Sequence, residues 1–203
     1  AALLTGHTRD DQAEQVLLAL ARGSGTRAIA GIPPRRGAIH RPFLGVSRAT
    51  TERACQAQAL TPWRDPHNSD PAYARVRVRE RVLPVLEREL GPGIAAGLAR
   101  SAELAREDAD ALDALAAETI EELVEHAEAG ISVSVAALAA NPAALRNRLI
   151  RLVARAEFGS HLSREHTLAV AALVTDWRGQ GPINIPGATV ERVAGRLVFT
   201  AAR

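Results

Sequence analysis

The opening stretch Leu3-Leu4-Thr5-Gly6-His7-Thr8-Arg9-Asp10-Asp11 changes its hydrophobic period within a few residues, and this constrains the fold more than any other feature. Leu3-Leu4 reads as the end of a buried strand. Residues 10–21 then place Ala13, Val16, Leu17 and Leu20 at helical spacing, so a strand passes through Thr-Gly-His into a helix. Thr8 is set to cap that helix, Asp11 three residues on completes a capping-box pattern, and Gly23 is set to stop it. A strand-to-helix junction of this kind belongs to an α/β sheet, whose ligands bind at the carboxyl ends of the strands. A buried parallel strand also needs neighbours. Nothing before Leu3 supplies them, so an N-terminally incomplete protein is expected.

Downstream, the pattern turns helical. Residues 26–46, rich in Gly and Pro, predict loop with short extended pieces around Ile29 and Ile39, then a helix over 47–59 and a loop over 61–71. Residues 73–90 alternate Arg and Val at first, but Val78, Val82, Val85, Leu86 and Leu90 follow helical spacing. Pro84 should kink or restart that helix. After Gly91-Pro92-Gly93, one stripe from Ile94 to Leu123 predicts a helix up to about 50 Å long at 1.5 Å per residue. Residues 131–135 alternate like a strand or an extended lead-in. Helices are expected over 142–158 and 163–177, and two or three short strands in hairpin order over 181–200.

Composition removes several classes of function. The single cysteine, Cys55, allows no intrachain disulfide, thiolate metal cage or paired-cysteine redox site, which fits a reducing cytoplasm. No apolar run approaches the ~18 residues of a membrane span, and no signal peptide opens the chain. Every one of the basic residues is Arg, a bias that suits a GC-rich genome. Charge is segregated: residues 22–88 hold 13 Arg against 5 acids, whereas residues 103–128 hold 10 acids against Arg106 alone. The first segment could face a polyanion and the second would repel one; a solvated helix face is the favoured reading of the second.

Several motifs carry chemistry, each beside a plainer reading. Asp10 and Asp11 in a first helical turn gain about 0.3–1 kcal/mol from the helix dipole, and at a strand's carboxyl edge they could equally hold Mg²⁺ on a nucleotide. Arg22-Gly23-Ser24-Gly25 is either a C-cap turn or a phosphate-binding corner. Asp65-Pro66-His67-Asn68 is a turn cluster by its Asx chemistry. Arg75 and Arg79 share one helical face and Arg77 and Arg81 another, for phosphate contact or for pairing with Glu80, Glu87 and Glu89.

The order GHTRDDQAE, LLALARGSG, RPFLGVSR, PWRDPHNSD and RVRVRERVLPVL resembles the tRNA(Ile)-lysidine synthetase family of PP-loop ATP pyrophosphatases. NPAALRNRLIRLV and GPINIPGATVERVAGRLVF extend the likeness over nearly the whole chain. The resemblance implies the remnant of a Rossmann-like α/β PP-loop domain over residues 1–72. A mostly α-helical tRNA-binding domain with a small C-terminal β hairpin would follow over 73–203. It implies ATP and Mg²⁺, an isoleucine tRNA with a CAU anticodon and free L-lysine, with a homodimer left open. Family members adenylate the wobble cytidine, after which the lysine ε-amine displaces AMP.

Carried over motif by motif, His7, Asp10, Asp11 and Arg22 become catalytic candidates, and Asp10 and Asp11 candidate Mg²⁺ ligands. Thr5, Gly6, Arg22 and Gly23 fall at the nucleotide, and Asp65, Asn68, Arg75, Arg77 and Arg79 at tRNA or lysine. Two departures stand out. Val76 replaces the family's Asn, and the Ser-Gly-Gly-x-Asp-Ser pyrophosphate loop is absent. That absence keeps a non-catalytic helical RNA-binding or interaction module as the alternative. A PP-loop thiolase suits the chain less, since such sulfur chemistry needs more than Cys55.

Overall fold

The computed structural model describes residues 1–127 and 130–202. Glu128, the last acid of the acidic run, lies outside the described residues. The chain divides into two compact units, residues 1–109 and 110–203.

In the first unit, strand β1 (Leu3–Leu4) leads into helix α1 (Arg9–Ala21), as the change of period predicts. A helical turn, α2 (Thr26–Ile29), replaces the extended piece expected around Ile29. Strands β2 (Arg35–Arg36) and β3 (Ile39–His40) follow, and β3 pairs in parallel with β1 and antiparallel with β2. Contrary to the expectation of a buried strand, Leu3 and Leu4 are 57% and 67% exposed. Two residues paired on one edge within so small a sheet leave both side chains in solvent. Helix α3 (Arg48–Ala57) starts at Ser47, whose hydroxyl accepts the Thr50 N–H.

The loop that follows contains a 3₁₀ turn, Pro66–Ser69. Beyond it come α4 (Ala74–Arg77), a π turn (Val78–Val82) and α5 (Leu83–Leu90). The break expected at Pro84 is thus a π turn one step earlier: Leu83 N–H reaches back five residues to the Val78 carbonyl, and Pro84 falls in the first turn of α5, where its missing N–H costs nothing. The extra residue rotates the apolar face. Val76, Val78 and Leu83 are buried, whereas Val82, Val85 and Leu90 of the expected stripe are exposed. On α1, Ala13, Val16 and Ala19 are buried but Leu20 is half exposed. The core of this unit is small, with Ala13, Val78 and Leu83 joined by partly buried Leu17, Leu18, Ile94, Ala95 and Leu98.

Helix α6 spans Ile94–Leu123 and buries Ala102, Ala109 and Ala116 of the expected stripe, with Ala99 beside it. Glu87 caps its start, accepting the Gly93 N–H at 2.6 Å and the Ala95 N–H at 3.0 Å.

In the second unit, β4 (Val124–Ala127) and β5 (Gly130–Ser134) pair antiparallel. Helices α7 (Val135–Ala140), α8 (Ala143–Phe158) and α9 (Arg164–Thr175) come next. The closing strands β6 (Ile183–Ile185), β7 (Ala188–Val193) and β8 (Arg196–Ala201) form the expected hairpins. All five strands join in one antiparallel sheet, ordered β4-β5-β8-β7-β6. Period-2 alternation buries Leu197 and Phe199 on β8 and Val190 on β7 against Leu149, Ile150 and Val153 of α8 and Val170 and Leu173 of α9. Gly130 is held at φ +145, and a Cβ there would run into the Phe199 carbonyl, so the close approach of β5 to β8 requires glycine.

Candidate functional site

The site candidates of the first unit assemble around the N-terminal turn of α1. Thr8 caps that turn in an extended conformation, and Asp11 Oδ2 accepts both the Thr8 N–H and the Thr8 hydroxyl at 2.7 Å. This lock faces Asp11 Oδ1 toward Arg48, whose guanidinium donates to it at 3.1 Å. Arg48 opens α3, and its backbone N–H donates to Asp10 Oδ2 at 2.8 Å, so Asp10 sits at the positive end of α3. Burial alone pushes the Asp11 carboxyl up. The Thr8 N–H and hydroxyl outweigh it, helped by Arg48 and Arg79, and hold Asp11 below the ordinary carboxylate value.

One turn further, Glu14 is wholly buried. Arg79 grips it as a fork, Nε to Oε1 at 2.7 Å and a terminal nitrogen to Oε2 at 3.0 Å. Arg48 reaches Glu14 at 3.4 Å and Arg75 at 3.6 Å, while Arg75 also donates to the Gln15 side chain. A buried carboxylate costs several kcal/mol unless it is paired and hydrogen-bonded, and three guanidinium groups meet that need here. The Glu14 bond is the leading reason that Arg79 holds its proton more firmly than an ordinary arginine.

At the end of β1, Thr5 Oγ1 and His7 Nδ1 lie 2.9 Å apart, and Nε2 of His7 has no hydrogen-bond partner among the described residues. Thr5, Gly6 and His7 therefore stand at the carboxyl edge of β1, beside Asp10 and Asp11. Arg22 and Gly23 are elsewhere. They close the C-terminal end of α1, about 20 Å along its axis from Arg9. There Gly23 (φ +62) and Ser24 return N–H bonds to the Leu20 and Ala19 carbonyls, and Arg22 is exposed. Asp65 and Asn68 lie on the exposed 3₁₀ turn. The His67 backbone N–H at 2.9 Å, and then its side chain, hold Asp65 below its usual range. Arg77 donates to the Pro71 and Ala72 carbonyls, both at 2.7 Å.

Four residues of this framework carry no expectation from the sequence. Glu14 stands three residues after Asp11, on the flank of the apolar stripe, which is the one signal that it turns inward. Arg48 shows none beyond its place at a helix start. Gln12, 3% exposed, reads both polar groups of Ile32: its amide donates to the carbonyl at 2.9 Å and its oxygen accepts the N–H at 2.6 Å. Arg106, the one base of the acidic run, donates to the carbonyls of Ala30 and Ile32, so its isolation among acids was the clue.

Among the described residues, no group of three or more His, Cys, Asp or Glu side chains is placed to hold a metal. Asp11 is spent on Thr8 and Arg48. Asp10 Oδ1 has no hydrogen-bond partner among the described residues, and one carboxylate suits Mg²⁺ where phosphates supply its other ligands.

Residues 1–86 match the PP-loop domain family, and residues 133–198 match the TilS substrate binding domain family. The tRNA(Ile)-lysidine synthase of Leifsonia xyli subsp. xyli is 60% identical over 200 residues, 98% of this chain and 60% of that protein. That of Thermobifida fusca is 51% identical over 204 residues, 99% and 62%. That of Streptomyces coelicolor is 51% identical over 211 residues, 98% and 57%. The chain is thus similar to tRNA(Ile)-lysidine synthases over nearly all of its own length. It spans about 60% of the length of these curated lysidine synthases. The matched PP-loop domain implies ATP binding, and within it Val76, which stands where the resembled motif carries Asn, is 4% exposed and serves packing. No helix among the described residues is long and apolar enough to cross a membrane.

Proposed function

We propose that the chain works in ligating lysine to the wobble cytidine of an isoleucine tRNA with a CAU anticodon, through an adenylated tRNA. The observation that carries this is the order of a PP-loop domain and a substrate-binding domain within one chain whose relatives bear the lysidine synthase name over nearly all of it. Residues 1–72 serve the nucleotide and residues 73–203 the tRNA, in a cytoplasmic setting.

In this reading, the cytidine carbonyl oxygen attacks the α-phosphate of ATP and pyrophosphate leaves. The ε-amine of lysine then attacks the activated ring carbon, loses a proton and releases AMP. His7, with Nδ1 fixed by Thr5, presents Nε2 at the carboxyl edge of β1, and Thr5-Gly6 brings backbone close to the nucleotide. Asp10, oriented by the Arg48 N–H, is the carboxylate with an oxygen to offer Mg²⁺ or the lysine ammonium. Bound there, Mg²⁺ would neutralise phosphate charge. Asp11 holds the turn and Arg48 in place and so acts as a positioning residue. Arg22-Gly23 remains a phosphate corner at the far end of α1, and Asp65 and Asn68 a polar contact for tRNA or lysine.

The test is ATP-dependent incorporation of labelled lysine into the tRNA by the full-length protein. Asp10→Asn should abolish incorporation while the melting temperature holds; near-normal incorporation would remove Asp10 from the reaction. Incorporation by the unmodified protein also decides against the non-catalytic RNA-binding module.

A further inference from the structure

The arginines that the sequence picks out for phosphate contact are largely spent within the first unit. Arg79 is forked onto Glu14, Arg75 is shared by Gln15 and Glu14, and Arg77 closes on two backbone carbonyls. The second unit holds arginines that are not spent. On α8, the period that buries Leu149, Ile150, Val153 and Ala154 carries Arg148, Arg151 and Arg155 away from the core, at i, i+3 and i+7. Gly159 turns the chain in the left-handed region, and α9, packed on α8, begins with Arg164.

Partners are few. Arg148 donates to Asp113 at 2.8 Å. Arg151, Arg155 and Arg164 make no side-chain hydrogen bond or ion pair among the described residues. Burial first, then the neighbouring Arg148 and Arg164, loosen the proton on Arg151, with Asp113 giving partial relief. Like charges gathered on two helices, which Asp113 offsets only in part, are a cost that a bound polyanion removes. Along α8 and α9, Leu168 at 43% is the one exposed large apolar side chain among the described residues, too little to form the cluster of anchors that a protein partner needs. Guanidinium groups a helical turn apart suit a run of phosphates, each of which they can hold by two bonds.

We propose that Arg151, Arg155 and Arg164, with Arg148 at their edge, form a face on the second unit that grips the sugar-phosphate backbone of an RNA without reading its bases. This rests on the tRNA reading given above.

The experiment is a salt titration of binding by fluorescence anisotropy, with two labelled transcripts: isoleucine tRNA with a CAU anticodon, and a tRNA with another anticodon. Each lost phosphate contact should lower the slope of log affinity against log salt by about 0.7–0.9. Arg151→Gln with Arg155→Gln should therefore lower it by between one and two, and weaken both tRNAs several-fold and equally. Exposed Arg155→Gln alone, which leaves the fold undisturbed, should show half of that change. Asp113→Asn, which frees Arg148, should tighten both. Wild-type slope and affinity in the double variant would overturn the proposal, as would a selective loss of one tRNA with an unchanged slope. An unmodified protein that binds neither transcript would overturn the tRNA reading itself, a separate result.

Discussion

The two units of this chain are held together by different means. Among the described residues, the second buries an apolar core of 18 under a five-stranded sheet, including Phe199, Leu197, Leu149 and Val190 at 0% exposure. In the first, a smaller apolar cluster around Ala13, Val78 and Leu83 is joined by a charged knot in which Asp11 and Glu14 on α1 are tied to Arg48, Arg75 and Arg79. Apolar burial is indifferent to direction. A forked guanidinium fixes distance and orientation, which suits the unit proposed above to present Asp10 and His7 in one geometry. The cost falls on stability, because buried ion pairs seldom outdo a packed apolar core of the same volume.

The largest effect expected is in the second unit: Phe199→Ala should cost about 3–5 kcal/mol, since Phe199 is fully buried and stacked beside Phe158 at 6.5 Å. Hydrogen exchange resolved by peptide should place the loss in residues 130–202 and spare α1; loss spread equally over both units would break the contrast. Next comes Arg79→Ala, at roughly 3 kcal/mol in the first unit, because it leaves the buried Glu14 carboxylate with only the longer contacts to Arg48 and Arg75. Exchanging both partners, Glu14→Leu with Arg79→Met, should recover most of that. A double variant as unstable as the single one would mean that the knot is not replaceable by packing.

Gly31→Ala should follow, at around 1–3 kcal/mol. Gly31 has φ +66, and a Cβ there would run into the Gln12 side chain that reads Ile32. Exchange at Ile32 would report it, and an unchanged rate there would detach Gln12 from the loop. Smaller still is Thr8→Ala, about 1 kcal/mol, from the cap that it shares with Asp11.

Acid should sharpen the same contrast. The Asp11 carboxyl in the folded chain lies below its usual 3.8, so its contribution is present above that value and is lost as the pH falls through the lower folded value. Urea melts from pH 6 to pH 2.5 should show this loss in the first unit, and Asp11→Asn should flatten it. An equal slope in that variant would give the acid sensitivity to another group.

How much of this was readable follows from what each element answers to. The capping box at Thr8 and Asp11, the break after Gly93 and the closing hairpins answer to neighbours within a few residues, and sequence showed them. Strand β5 shows in the alternation over residues 131–135, but β4 was harder, since it continues directly from the α6 stripe with no break in the pattern. Helix α7 is six residues of small and aliphatic side chains with no polar face to set a period. In the site, Asp10, Asp11 and the arginines of α4 and the π turn stood out by type. Their partnership through Glu14 links positions more than sixty residues apart, and no local pattern encodes it. The arginines looked free for phosphate because their own helix offered only Glu80, Glu87 and Glu89 as partners. The real partner came from α1.

The π turn at Val78–Val82 has a consequence for how insertions and deletions would act on this chain. It is one residue more than an α-helix needs, a spare tooth in the indexing between α4 and α5. Removing a residue within it would turn the five-residue reach of Leu83 N–H to the Val78 carbonyl into a four-residue one and let the helix run on as continuous α, with the residues beyond keeping their face. Arg75 would keep its aim at α1 and Leu83 its place in the small core, but Pro84 would fall in a helix interior that cannot take it. A length change of one residue, with composition hardly altered, would thus be felt more severely here than most substitutions of the arginines themselves.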